Sequence, residues 1–215
     1  MAILSTATCS ACGKQSEIPV PNRVNVKDSP DLKDRVRDGS LFVWECPSCG
    51  SVNLYRGECL YHDPDNRQMF FLLPPGSLAP ENEQALEAQS AALSESLPGY
   101  VLRRVDDIGS LMEKVNIFDC GLDDCVIEMC KHITKLEMSE KGSEGIMDAA
   151  LKFYKLEGAD NDLIFTYPSE GSMQCIRTGF NVYEDCAGII RRNPSVKPSS
   201  GFARIDPAWV ARFFR

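Results

Sequence analysis

Over the first third of the chain, apolar and polar positions alternate in short runs. These fall at Ile3–Thr8, Glu17–Val20, Leu41–Glu45, Val52–Tyr61 and Gln68–Leu73, and a period of two predicts strands. One short helix interrupts them. In SPDLKDRVRDG, Ser29 stands at the N-cap, Pro30 at the first helical position and Gly39 at the stop. HDPDN, from His62 to Asn66, reads as a turn between two strands.

The pattern then changes period. LPPGSLAPEN, from Leu73 to Asn82, is a Pro/Gly-rich break that divides the chain into regions 1–75 and 80–215. Leu86, Leu93 and Leu97 predict a helix over 81–97, ended by Pro98-Gly99. Val105, Ile108, Leu111, Met112 and Val115 predict a second over 104–117. Leu122, Val126, Met129, Ile133 and Leu136 predict a third over 120–138. LKFYKLE, the turn GADN and DLIFTYP predict a hairpin over 151–167, and MQCIRT a further strand. A short helix is expected over Asn181–Arg192. A last one is capped by Asp206, with Pro207 at its first position and Trp209 packing inward.

Two stretches carry the candidate chemistry. CSACGKQ and WECPSCG each contain Cys-x-x-Cys-Gly, and 33 residues separate the two pairs. A tetrahedral zinc ion takes four thiolates at about 2.3 Å. In each turn the chain must reverse so that both sulfurs face one point, and the glycine after the second cysteine permits a left-handed backbone there. Backbone N–H groups of the turn can then point at the sulfurs. Pro47 stiffens the second turn. Cys9, Cys12, Cys46 and Cys49 are therefore expected to hold one Zn2+ in a closed, structural site. The interval between the pairs exceeds the common range of about 15 to 20 residues, and a loop with its own helix accounts for the excess. Two disulfides, a redox dithiol and an iron–sulfur cluster are the rival readings. With the zinc site included, the expected fold class is α+β: an N-terminal β-rich zinc ribbon, then a helical region with a β-hairpin.

The chain has 215 residues and a net charge of −8. The acidity is concentrated in residues 76–158, which carry 8 basic and 16 acidic groups. A field of that sign repels phosphate backbones, so nucleic acid is not the expected partner. The longest purely apolar run is MFFLL, far short of the roughly 20 residues that span a bilayer. MAILSTATC lacks a basic n-region and a long apolar h-region, so no signal peptide is expected. The reading is a cytoplasmic protein, where ten cysteines serve as ligands and buried thiols rather than disulfides.

Other groups have simpler explanations. Cys59 and His62 form a Cys-x-x-His pair, but positions three apart on a strand face opposite sides. Cys120, Cys125 and Cys130 advance about 140° at each step of five on a helix and do not converge. Cys175 and Cys186 read as lone thiols, buried or neutral. Asp106–Asp107 and Asp123–Asp124 fall in first helical turns, where negative charge meets the positive helix end. His132 reads as a surface or cap residue. No Ser-centred elbow, phosphate loop or dinucleotide glycine pattern is present, and no catalytic residue is assigned.

ATCSACGK, then SPDLKDRVRDGSLFVWECPSCG, then LYHDP resemble the CpXC family, a bacterial and archaeal domain family named for its Cys-Pro-x-Cys motif. MEKVNIFDCGLDDCVIEMCK is similar to the helical segment that follows the cysteine region in that family. The first pair here has Ser10-Ala11 between its cysteines, so the second alone shows the proline form. The resemblance implies zinc at Cys9, Cys12, Cys46 and Cys49 and no established activity. The expected role is a zinc-stabilised module for a protein partner or for self-association. A nucleic-acid-binding ribbon and an enzyme with an unrecognised site in the second half are the alternatives.

Overall fold

The computed structural model describes residues 3–214, which form two compact units. The first comprises residues up to Met112 together with Ser199–Ala203, and the second Glu113–Pro198 together with residues from Arg204 onward.

The first unit opens with two separate hairpins. Strands β1 (Ile3–Thr8) and β2 (Gln15–Val20) pair antiparallel, with Thr8 opposite Gln15. After β3 (Arg23–Asn25) and the helix α1 (Asp31–Arg37), β4 (Val43–Glu45) pairs antiparallel with β5 (Val52–Leu54). Pro30 takes the place before α1, and no side chain caps that helix. Ser29 contributes its carbonyl instead, which accepts from the Leu32 N–H.

The run expected as one strand over Val52–Tyr61 is two. The chain bends at residues 55–58, where the Tyr55 ring occupies the place a Cβ on Gly57 would take. Beyond the bend, β6 (Cys59–Asp63) and β7 (Gln68–Leu72) form an antiparallel pair. Their inner positions stack Tyr61 on Phe70 at 5.4 Å between ring centroids. Asp63 ties the turn: Asn66 donates to it through N–H and side-chain amide, and Lys33 Nζ approaches it at 3.3 Å.

Helix α2 (Pro80–Ser96) precedes the strand β8 (Val101–Val105), which pairs parallel to β7. The resulting sheet has the order β3-β6-β7-β8. Helix α3 (Ile108–Asp119) begins four residues later than the periodicity suggests. Val105 ends a strand, its carbonyl accepting from the Leu73 N–H at 2.9 Å. Asp107 then caps α3, accepting from the Ser110 N–H at 2.8 Å and its hydroxyl at 2.6 Å.

The second unit holds α4 (Asp124–Glu140) and the strands β9 (Lys152–Glu157), β10 (Asp162–Ser169) and β11 (Ser172–Thr178), in the order β11-β10-β9. Helices α5 (Phe180–Arg192) and α6 (Pro207–Val210) complete it. Asp206 accepts from the Trp209 N–H at 2.8 Å and caps α6. Phe153, Leu163, Phe165, Ile127 and Met129 are fully buried and form its core. The architecture is α+β, with strands and a four-cysteine cluster first, then helices and a sheet. Among the described residues, no helix is long and apolar enough to cross a membrane.

Candidate metal centre

Each Cys-x-x-Cys-Gly stretch is the turn of a hairpin, one joining β1 to β2 and the other β4 to β5. The two turns repeat one another bond for bond. The Cys9 N–H donates to the Lys14 carbonyl and the Gly13 N–H to the Cys9 carbonyl, at 2.9 and 3.0 Å. The Cys46 N–H donates to the Ser51 carbonyl and the Gly50 N–H to the Cys46 carbonyl, both at 2.9 Å. Gly13 and Gly50 have φ of 71° and 70°, the left-handed region that a side chain resists. A tight turn of this shape projects the sulfurs of its two cysteines to the same side.

The structure brings Cys9, Cys12, Cys46 and Cys49 together, all four sulfurs lying within 4.8 Å of one another. Contacts run between hairpins: Cys9 Sγ to Cys49 Sγ is 3.7 Å and Cys12 Sγ to Cys46 Sγ is 3.8 Å. A disulfide needs about 2.05 Å, and the four cysteines are free thiols. A tetrahedron with metal–sulfur bonds of about 2.3 Å has edges of about 3.8 Å. The donor set therefore fits a single metal ion. A [2Fe–2S] or [4Fe–4S] cluster spreads its four thiolates over two or four irons, which sets some of the sulfurs wider apart than one ion does.

Asn53, a residue with no sequence signal of this role, holds the two turns together. It is buried on β5, and its Oδ1 accepts from the Ser10 N–H at 2.8 Å and the Ser10 hydroxyl at 2.9 Å. Its Nδ2 donates to the Ser51 carbonyl at 2.8 Å and reaches Cys9 Sγ at 3.5 Å. Pro47 occupies the position of Ser10 in the second turn. Proline has no N–H, so that turn has no such donor to satisfy, and the first turn, lacking the proline, uses Asn53.

Local hydrogen bonds divide the proton affinities of these thiols. The Cys12 N–H points at Cys9, and against burial it lowers that thiol to about 6, helped by the Ala11 N–H and Asn53. The Ser51 hydroxyl and N–H lower Cys49. At Cys12 the Lys14 N–H also favours the thiolate. The Cys49 sulfur, burial and the other two sulfurs outweigh it and push Cys12 up to about 11. Thiolates this close repel one another, and a bound cation removes that penalty.

The remaining candidates do not join the cluster. Cys59 faces inward on β6, where burial pushes its thiol up to about 12. His62 lies on the opposite face, with Nε2 3.3 Å from the Tyr100 hydroxyl. Cys130 packs against Cys186, whose hydrogen bond and burial hold Cys130 protonated. Cys175 is exposed on β11. Asp123 caps α4 by accepting from the Cys125 N–H at 2.8 Å, and Asp124 is buried 2.6 Å from Lys114 Nζ. These acids share a neighbourhood with Cys125, and capping and ion pairing account for both.

The family model for the CpXC protein matches residues 7–131. The chain belongs to the CpXC family. The match begins two residues before Cys9 and ends at Lys131 on α4, so it takes in both turns. No curated protein and no solved structure matches the chain.

Proposed function

We propose that this CpXC chain binds one Zn2+ through Cys9, Cys12, Cys46 and Cys49, and that the closed centre is structural. The observation that carries the reading is the spacing of the four sulfurs, within 4.8 Å of one another and near the edge length of a zinc tetrathiolate. Four thiolates fill a tetrahedral ion and leave no position for a reacting water. The metal joins two hairpins that are otherwise separate two-stranded sheets. An isolated hairpin is marginal in water. Structural zinc contributes about 10–16 kcal/mol in small peptides, comparable with the whole stability of a domain.

The role that follows is a zinc-stabilised interaction module, whose turns and neighbouring strand edges meet another protein or a second copy. Elemental analysis of the purified chain tests the metal: about one zinc per chain is expected, and iron or no metal overturns it. Cys46→Ser is expected to lose the metal and the folding of the first unit. Unchanged melting of that variant overturns the structural role.

A further inference from the structure

A cleft of about 480 Å³ lies beside the two turns. One wall is residues 5–8 of β1 and the other is residues 53–57, with Trp44 and Ser10 between them. Both walls use consecutive residues. Successive side chains of a strand point to opposite faces, so the first wall, consecutive residues of β1, is a strand edge rather than a face. The second wall is the end of β5 (Asn53 and Leu54) and the bend that follows it. β1 pairs only with β2, so among the described residues its other edge is turned away from a partner strand. Such an edge carries N–H and C=O groups that seek a ladder.

The dimensions suit a strand. An extended residue rises about 3.3 Å, takes about 4.8 Å across the sheet and about 10 Å through it, or about 160 Å³. The cleft then holds about three residues, close to the four that β1 presents. Its chemistry also has a sign. Hydroxyls line it at Ser5, Thr6, Thr8 and Ser10, and the exposed Arg56 is the one charged residue at pH 7 among its lining residues. An arginine without an acid in the same cleft matches an incoming carboxylate.

We infer that this cleft receives an extended segment of a partner protein as an added strand between β1 and the chain around β5, with an Asp or Glu of that segment meeting Arg56. The inference rests on the interaction-module reading above and names its site and partner chemistry. It also ties binding to the metal centre. Asn53 and Ser10 line the cleft, and Asn53 contacts both Ser10 and Cys9 Sγ. Loss of metal therefore disorders the floor of the cleft.

The test uses the full chain as purified and a library of random dodecapeptides displayed on phage. Selection is expected to return proline-free central runs rich in β-branched residues, with an acidic residue at one fixed position. A synthetic peptide of that consensus should slow amide exchange at residues 5–8 and 53–57. Arg56→Glu should weaken it at least tenfold, Arg56→Lys should weaken it less, and a chelator should release it. Failure to select a binder, protection elsewhere, or an unaffected Arg56→Glu overturns the inference. So does protection of the same edges by self-association without peptide. A zinc-bound chain that takes no peptide sinks this inference and leaves the metal reading standing. A chain purified without metal that takes the peptide at these edges overturns the metal reading and the coupling of the cleft to it, and leaves the strand site standing.

Discussion

Asn53, on the second hairpin, reaches Cys9 Sγ on the first at 3.5 Å while accepting two hydrogen bonds from Ser10. One buried amide thus serves a thiol and a turn that lie more than 40 positions away in sequence. Partners of this kind tune metal affinity by about 10- to 100-fold. Asn53→Ala is expected to weaken metal binding by that order, measured by competition with a chromophoric chelator. Asn53→Asp keeps an acceptor for Ser10 but loses the donor to sulfur, so it should also bind less tightly than the parent chain. Equal affinity of all three proteins refutes the role.

The left-handed glycines give a matched pair of predictions. A Cβ on Gly13 has no atom within 4 Å, and one on Gly50 meets only Glu45 Oε1 at an ordinary 3.7 Å. Neither turn is crowded, so Gly13→Ala and Gly50→Ala should each cost about 1–2 kcal/mol through backbone strain alone. Urea unfolding of the metal-loaded variants checks that the two costs agree.

Lys114 and Asp124 form a buried pair in the second unit, at 2.6 Å and with side chains 4% and 0% exposed. Removing Lys114 takes its nearest cation from the buried Asp124 carboxylate. Lys114→Met is expected to destabilise by about 3–5 kcal/mol, and Lys114→Met with Asp124→Leu to recover most of it. Thermal melts of the single and double variants decide the point.

Asp63 makes stability depend on pH. Burial alone raises its carboxyl, but the Asn66 side chain and N–H, with Lys33, hold it below the ordinary carboxylate value. A carboxyl depressed in the folded state binds protons more readily when unfolded. Its contribution is therefore complete above about pH 5 and declines as pH falls through the folded pKa. Asp63→Asn should be less stable than the parent at pH 7 by about 1–3 kcal/mol. That gap should close toward pH 3. A gap independent of pH would show that the charge is not involved.

The legible parts of this fold are those with a local code. The two Cys-x-x-Cys-Gly turns announce themselves by spacing, and the structure brings their sulfurs together. Asp206-Pro207 marks the start of α6 because capping is decided within one turn. What escaped the local code depends on distant partners. Val105 fits a helical stripe as well as a strand, and the choice was made by β7 and by Asp107. At the bend of residues 55–58 the Tyr55 ring lies against Gly57, a contact that the strand pattern does not announce. Asn53 looks like any strand polar residue until Ser10 is seen beside it. Ser199–Ala203 joins the first unit from the far end of the chain, with Ala203 bridged to Arg103, and nothing nearby in sequence foretells that return.

In each turn the leading cysteine is buried and the trailing one exposed: Cys9 and Cys46 are 2% and 1% accessible, while Cys12 and Cys49 face solvent. A centre built this way is attacked from one side. A reagent arriving from water would meet Cys12 and Cys49 first, one outer sulfur from each hairpin. With an ion bound, the inner pair would be shielded by the turns themselves, and the outer pair would be the side from which the ion is reached.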